Sequence, residues 1–272
     1  MKVFLFKKSF FIYATVFFIA ISICTFSIFF LINSNITNSK TITRKTPNNI
    51  KIYEDEKNEY DTFQKKLTEK YKDKKLIALT FDDGPSKYTD ILVDELKKRN
   101  IPATFFILGI NVKGYENTLK NTFDAGNEIG VHSYVHKLFT RLKDDEILEQ
   151  IEKTKIIIHE STGLSPTLIR VPYGSLSNRV EMVLEQVELK SITWNVDSLD
   201  WKFKNTDKVF NYVIKKVKGN DIILMHDTYI SSINAALKII DELTKRGYTF
   251  VTVSEFLKTK ELSQKNQNIT NL

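Results

Sequence analysis

The chain has 272 residues, 42% of them apolar and 27% charged, with only 9 Gly and 5 Pro, which excludes a disordered or fibrous chain and suits one sizeable domain plus an appendage. The net charge of +7 sits in residues 1–75, which hold 14 Lys/Arg against 7 Asp/Glu; residues 76–272 hold 26 of each, and a neutral body is not that of a nucleic-acid binder. The one cysteine, Cys24, rules out an intramolecular disulfide and a cysteine metal cluster, so any metal must be held by His and carboxylates.

The first predicted element is an uncharged run from Ser9 to Ile32, preceded by Lys2, Lys7 and Lys8. At 1.5 Å per helical residue it spans the roughly 30 Å core of a bilayer. A cleaved signal would show a shorter run and a small-x-small site, and lipidation at Cys24 would need a small residue where Ile23 stands. The expectation is an uncleaved transmembrane anchor: 1–8 cytoplasmic, 9–32 in the membrane, the rest outside by the positive-inside rule. That makes the chain a single-pass protein of the cell membrane. Residues 33–73 read as a polar spacer, with a solvated helix conceivable over 54–72.

From residue 76 an alternation of strands and helices begins. Strands are predicted at 76–81, 103–108, 128–133, 167–172, 191–196, 221–226 and 249–253, mostly as continuous apolar runs, the pattern of parallel strands buried on both faces. A helix over 144–160 opens on Asp144-Asp145-Glu146, which suits its positive end. Another over 232–246 repeats Ile233, Ala236, Leu237 and Ile240 at helical spacing and is closed by Gly247. The fold class expected is α/β, a distorted or open (β/α)7 barrel over 74–258, since about 185 residues is short of a full eightfold barrel of about 250. Residues 259–272 read as a polar tail.

The unusual polar residues fall at predicted strand ends: Asp82-Asp83, His132 with His136, Arg170 and Tyr173, Asp197 and Asp200-Trp201, and His226-Asp227. In parallel α/β folds that edge of the sheet builds the site. Three of the four histidines lie there; His159, late in a helix, suits the helix C-terminus instead. His132 and His136, if their segment turns helically, place two imidazoles on one face. With one carboxylate from the Asp82-Asp83 pair they make a set for a catalytic divalent metal, zinc being natural. The other carboxylate is then free to act as a general base.

TFDDGP (80–85), ATFF (103–106), HSYVH (132–136), RVPYG (170–174), DSLDW (197–201) and LMH (224–226) together resemble the polysaccharide deacetylase family with its NodB homology domain, over roughly residues 74–258. The resemblance implies metal-dependent removal of N-acetyl groups from an amino-sugar polymer, with zinc or cobalt as the ion. It implies Asp82 as general base, Asp83, His132 and His136 as metal ligands, and Arg170 as the group orienting Asp82. It also implies an oxyanion contact from the Tyr173 backbone N–H, His226 as general acid tuned by Asp200, and an acetyl-methyl pocket lined by Trp201 and Leu224. Val131 and Val171 depart from the usual pattern beside these motifs. DSLDW followed by Lys202 is most similar to members acting on N-acetylglucosamine of peptidoglycan. N-acetylmuramic acid, exopolysaccharide, chitin fragments and xylan stay as alternatives, as does an inactive carbohydrate-binding relative. The partners expected are a cell-wall glycan and the membrane, with no nucleic acid and no obligate protein partner.

Overall fold

The computed structural model describes Thr62 and residues 65–270. The apolar run over 9–32 lies outside them; among the described residues no helix is long and apolar enough to cross a membrane.

Strand β1 (Lys75–Asp82) is buried from Leu76 onward because it lies in the middle of the sheet. It pairs in parallel with β2 (Thr104–Leu108) and β7 (Asp221–His226), and its first half with β8 (Tyr248–Val251). Beyond β2 follow β3 (Glu128–Ser133), β4 (Leu168–Ile169) and β5 (Lys190–Ser191), and β6 (Val196–Asp197) pairs outside β7, giving the order β5-β4-β3-β2-β1-β7-β6 with every pairing parallel. The expected open barrel is thus a curled parallel sheet, with its two edges formed by segments close in the chain.

The continuous apolar runs hide a period of two. Ile77, Leu79 and Phe81 join the large core formed with the surrounding helices, together with Phe105, Ile107, Ile129, Val131 and Ile223. The alternate residues turn the other way: Leu76 and Ala78 meet Phe106, Leu168 and Ile192 in a second cluster. Phe106 needs Gly130 opposite it, since a Cβ there would lie 2.7 Å from its ring. Residues 65–71, read from the sequence as spacer, are helical, and their Leu67 and Tyr71 are buried in this second cluster with Phe256.

Helices α1 (Thr89–Arg99), α2 (Glu116–Asp124), α3 (Asp144–Thr162), α4 (Asn178–Gln186), α5 (Asp200–Phe203), α6 (Thr206–Lys216), α7 (Ile230–Lys245) and α8 (Val253–Thr270) fill the connections. The acidic start of α3 acts as expected: Glu146 accepts the Lys143 backbone N–H at 2.8 Å. In α7, Ile233, Ala236 and Ile240 are buried as their spacing requires, and Gly247 follows the helix at φ 80°.

Two expectations need correction. The single strand predicted over 191–196 is two short strands at opposite edges of the sheet, because the chain between them makes other bonds. The carbonyls of Ile192 and Thr193 accept from the Arg170 guanidinium at 3.3 and 3.4 Å, and the Asn195 side-chain oxygen accepts the Ile222 N–H at 2.6 Å. The strand predicted over 167–172 is only Leu168–Ile169, as the following residues turn inward to the site.

Candidate active site

Asp82 ends β1 in register with His226 of β7, so the two polar groups face one another without any loop. Asp83 follows at φ 70°. Its main chain is held by Asn111, whose side-chain amide donates to the Asp83 carbonyl at 2.8 Å.

His132 sits where the β2–β3 register slips: Ile107 pairs with Val131 and Leu108 with Ser133, leaving His132 as the extra residue. Bulges of this kind re-aim a side chain and are frequent beside active sites. The segment 132–136 is not helical, contrary to the condition set from the sequence. His136 is brought round instead by Ser133 at φ 123°, whose hydroxyl accepts the His136 N–H at 2.9 Å, and by its own φ of 57°. Left-handed backbone at Asp83, His136, Tyr173 and Leu199 clusters at this end of the sheet, where such conformations are stored for function.

The Nε2 atoms of His132 and His136 lie 3.4 and 3.5 Å from Asp83 Oδ1. His132 Nδ1 lies 2.7 Å from the Arg170 carbonyl, which can only accept, so Nδ1 carries the hydrogen and Nε2 presents its lone pair to Asp83. Burial holds His132 down to about 3, so the ring is neutral at ordinary pH. Asp83 Oδ1 is buried with no hydrogen-bond partner. Three lone-pair donors within 4.8 Å of one another, one of them an orphaned carboxylate oxygen, are an arrangement that a cation completes. The donor set, two imidazoles and a carboxylate, fits zinc or a neighbouring divalent transition ion.

Arg170 is the largest fully buried side chain, lying over the Phe106 ring with its guanidinium carbon 4.3 Å from the centroid. It donates to Asp82 Oδ1 at 2.7 Å and to the Thr80 hydroxyl at 2.7 Å. Burial pushes the Asp82 carboxyl above the usual carboxylate range, and the charge and hydrogen bond of Arg170 pull against it. A raised carboxylate held in one orientation is suited to taking a proton.

Across the site, Asp200 opens α5 after Leu199 and is fully buried. One carboxylate oxygen lies 2.8 Å from His226 Nδ1 and also accepts the Trp201 N–H; the other accepts the His226 N–H at 2.8 Å. Burial opposes charge on His226, but the hydrogen bond and charge of Asp200 outweigh it and raise the imidazole to about 9. His226 is therefore a cation at ordinary pH, its Nε2 3.9 Å from Asp83.

Asp82, Asp83, His132, His136 and His226 line one cavity of about 380 Å³ together with Val171, Tyr173, Trp194, Asp197, Trp201 and Leu224, while Arg170 and Asp200 are buried behind Asp82 and His226. Tyr173 and Trp201 are 67% and 49% exposed, forming a rim, while Leu224 is buried at its wall. The ten residues to which the resemblance gives a role thus meet at one place. Trp194 and Val171 line the cavity without having been selected for it. Trp194, which packs against the bare Cα of Gly174, is separated from any polar motif in the sequence and gave no signal there.

Residues 69–192 match the family model described as polysaccharide deacetylase. The chain is 42% identical over 188 residues to the peptidoglycan-N-acetylmuramic acid deacetylase PdaC of Bacillus subtilis (strain 168), covering 69% of this chain and 40% of that one. It is 37% identical over 191 residues to a peptidoglycan-N-acetylglucosamine deacetylase of Bacillus cereus (strain ATCC 14579), covering 68% of this chain and 69% of that one. The solved structure of the Bacillus subtilis peptidoglycan deacetylase PdaC superimposes with a TM-score of 0.69 at 40% identity, over 73% of this chain and 98% of that one. The chain spans about 40% of the length of the first of these curated relatives. On the fold, the ordered motifs and these likenesses together, the chain belongs to the polysaccharide deacetylase family.

Proposed function

We propose that this protein is a metal-dependent hydrolase that removes acetyl groups from N-acetylglucosamine residues of peptidoglycan. The observation that carries the chemistry is the pair of differently tuned centres around one cavity: an electron-rich Asp83–His132–His136 trio and a protonated Asp200–His226 pair, with Asp82 between them. A divalent ion held by Asp83, His132 and His136 would polarise the acetyl carbonyl and acidify a water molecule. Asp82, fixed by Arg170, takes the proton of the attacking water. His226 then gives its proton to the departing amine nitrogen, and Asp200 keeps that proton available until it is needed. The Tyr173 backbone N–H serves the developing oxyanion, and Trp201 with Leu224 gives the acetyl methyl an apolar wall.

The charge of the cavity supports N-acetylglucosamine as the sugar. Its lining contains Asp82, Asp83 and Asp197 but neither Lys nor Arg. The lactyl carboxylate that distinguishes N-acetylmuramic acid would enter beside carboxylates, and the cationic His226 in the lining is already paired with Asp200 and committed to the leaving amine. The likeness to an N-acetylmuramic acid deacetylase favours that sugar as the second reading. Incubating the protein with each defined glycan and zinc or cobalt, and weighing the products, tests both: loss of one acetyl mass from N-acetylglucosamine oligomers is expected. Loss only from muramic-acid-bearing chains moves the assignment to the second reading.

The domain plan and location follow from the same proposal. The run over 9–32 anchors the chain in the cell membrane, the stretch from 33 up to the helix at 65–71 spaces it, and that helix with 74–258 works on the wall outside. Externally added protease should reach residues beyond 33 in intact cells while the N-terminus stays with the membrane; a mature form beginning near residue 33 in the medium would show a cleaved signal.

A further inference from the structure

Asp227 is a fully buried carboxylate that the hydrolysis does not use. It follows His226 at the end of β7 with 0% of its surface exposed. Its Oδ2 accepts the Thr89 hydroxyl at 2.5 Å, while Oδ1 is buried with no hydrogen-bond partner. Both oxygens press on Gly84: a Cβ there would lie 2.5 Å from Oδ2 and 2.6 Å from Oδ1. The Asp227 carbonyl accepts the Ser86 hydroxyl at 2.6 Å, and the Ser86 N–H donates to the Thr89 hydroxyl at 2.7 Å. The turn directly after Asp83 is thus fastened to the strand that carries His226. On its other side the turn is held by the Leu108 N–H, which donates to the Gly84 carbonyl at 3.0 Å, and by Asn111.

Asp83 needs this support. Its left-handed backbone, φ 70°, is a conformation that persists in a non-glycine residue only where the surroundings over-determine it. We propose that Asp227, acting through Gly84, Ser86 and Thr89, is a positioning residue that sets the backbone of Asp83 and so the geometry of the metal site. It also ties that ligand to the strand of the general acid. The inference rests on the metal-dependent reading above.

The test uses the full chain and five changes: Asp227→Ala, Asp227→Asn, Gly84→Ala, the Gly84→Ala/Asp227→Ala pair and Thr89→Val. Zinc affinity is measured by competition with a chromophoric chelator, the cobalt form by its visible spectrum, and kcat and KM on N-acetylglucosamine oligomers. Wild-type protein that binds no ion or releases no acetate defeats the functional reading itself, independently of Asp227. Given an active wild type, Asp227→Ala is expected to weaken zinc binding 10- to 100-fold, the usual cost of losing a group that orients a ligand, and to change the cobalt spectrum, with KM within about twofold. Gly84→Ala should do the same from the opposite side. The double variant should be less impaired than the product of the two, because the new methyl enters the space the carboxylate leaves. Asp227→Asn, which keeps an acceptor for Thr89, should stay within about threefold of wild type. Thr89→Val, which cuts the hydrogen bond and spares the carboxylate, should weaken zinc binding in the same direction and decides the matter if Asp227→Ala does not fold. Wild-type zinc affinity and cobalt spectrum in these variants, with only a lowered melting temperature, would reduce Asp227 to a structural group and overturn the inference.

Discussion

Two histidines at the same end of one sheet, both largely buried, are driven in opposite directions. His132 on β3 is held down to about 3 and His226 on β7 is raised to about 9. Burial acts on both with the same sign, so burial does not explain the difference. What differs is the group facing Nδ1: a backbone carbonyl for His132, a carboxylate for His226. The carbonyl fixes a tautomer and leaves the ring neutral, as a metal ligand must be. The carboxylate adds a negative charge and keeps the proton on, as an acid requires.

The largest effect should come from breaking the neutral side. His132→Ala, or treatment with a chelator, should take activity to background, and only the chelated wild type should recover with added zinc. Metal analysis beside a turnover assay checks this; full activity in a metal-stripped sample would end the metal-dependent reading. Next comes the carboxylate between the two centres. Asp82→Asn should retain the ion yet lose about 10²–10⁴ in kcat, the usual worth of a positioned base. Loss of the ion, with activity recovered in excess zinc, would instead exchange the roles of Asp82 and Asp83.

Converting one histidine's environment toward the other's sharpens the comparison. Asp200→Asn removes the charge that raises His226, so the alkaline limb of the kcat profile should move from about pH 9 toward the ordinary histidine range. With a pKa near 6.5, only about a tenth of the imidazole is protonated at pH 7.5, so kcat there should fall roughly tenfold. An unmoved alkaline limb would assign that limb to a group other than His226.

The smallest effect on turnover, though measurable, is on stability. His226 has a folded pKa above its unfolded value, so its contribution is complete below about pH 6.5 and is lost as pH rises through about 9. The window is worth on the order of 3 kcal/mol in metal-free protein, taking 1.36 kcal/mol per unit. Denaturant unfolding of wild type and His226→Gln across that range should show curves that converge at high pH. Parallel curves would mean that the Asp200–His226 pair does not stabilise the fold.

Much of this was legible in the residues. The strands at 128–133 and 221–226 have the bounds expected from their apolar runs and the polar residues that flank them, and Glu146 and Gly247 mark helix ends as such residues should. Short apolar runs bounded by polar clusters are local information, and local physics reads them. The segment 191–196 misled because its fate is decided by an arginine elsewhere: Ile192 and Thr193 look like ladder residues until Arg170 claims their carbonyls. The helical turn supposed for 132–136 failed for a similar reason, since a bulge against β2 and the Ser133 hydroxyl bring His136 round more tightly. Asp227 was visible as an acidic residue at a strand end, but its contact with Gly84 was not.

By itself the sequence determined which groups are present and on which edge of the sheet they gather: strand identity follows from hydrophobic pattern, and a parallel sheet puts every strand's end on one side. Tertiary structure alone decided what each group is. His132 meets its carbonyl 38 residues further on, and His226 meets its carboxylate 26 residues back. Protonation depends on charge and hydrogen bonding within a few ångströms in space, and nothing in the spacing of residues along the chain states which partner will stand there.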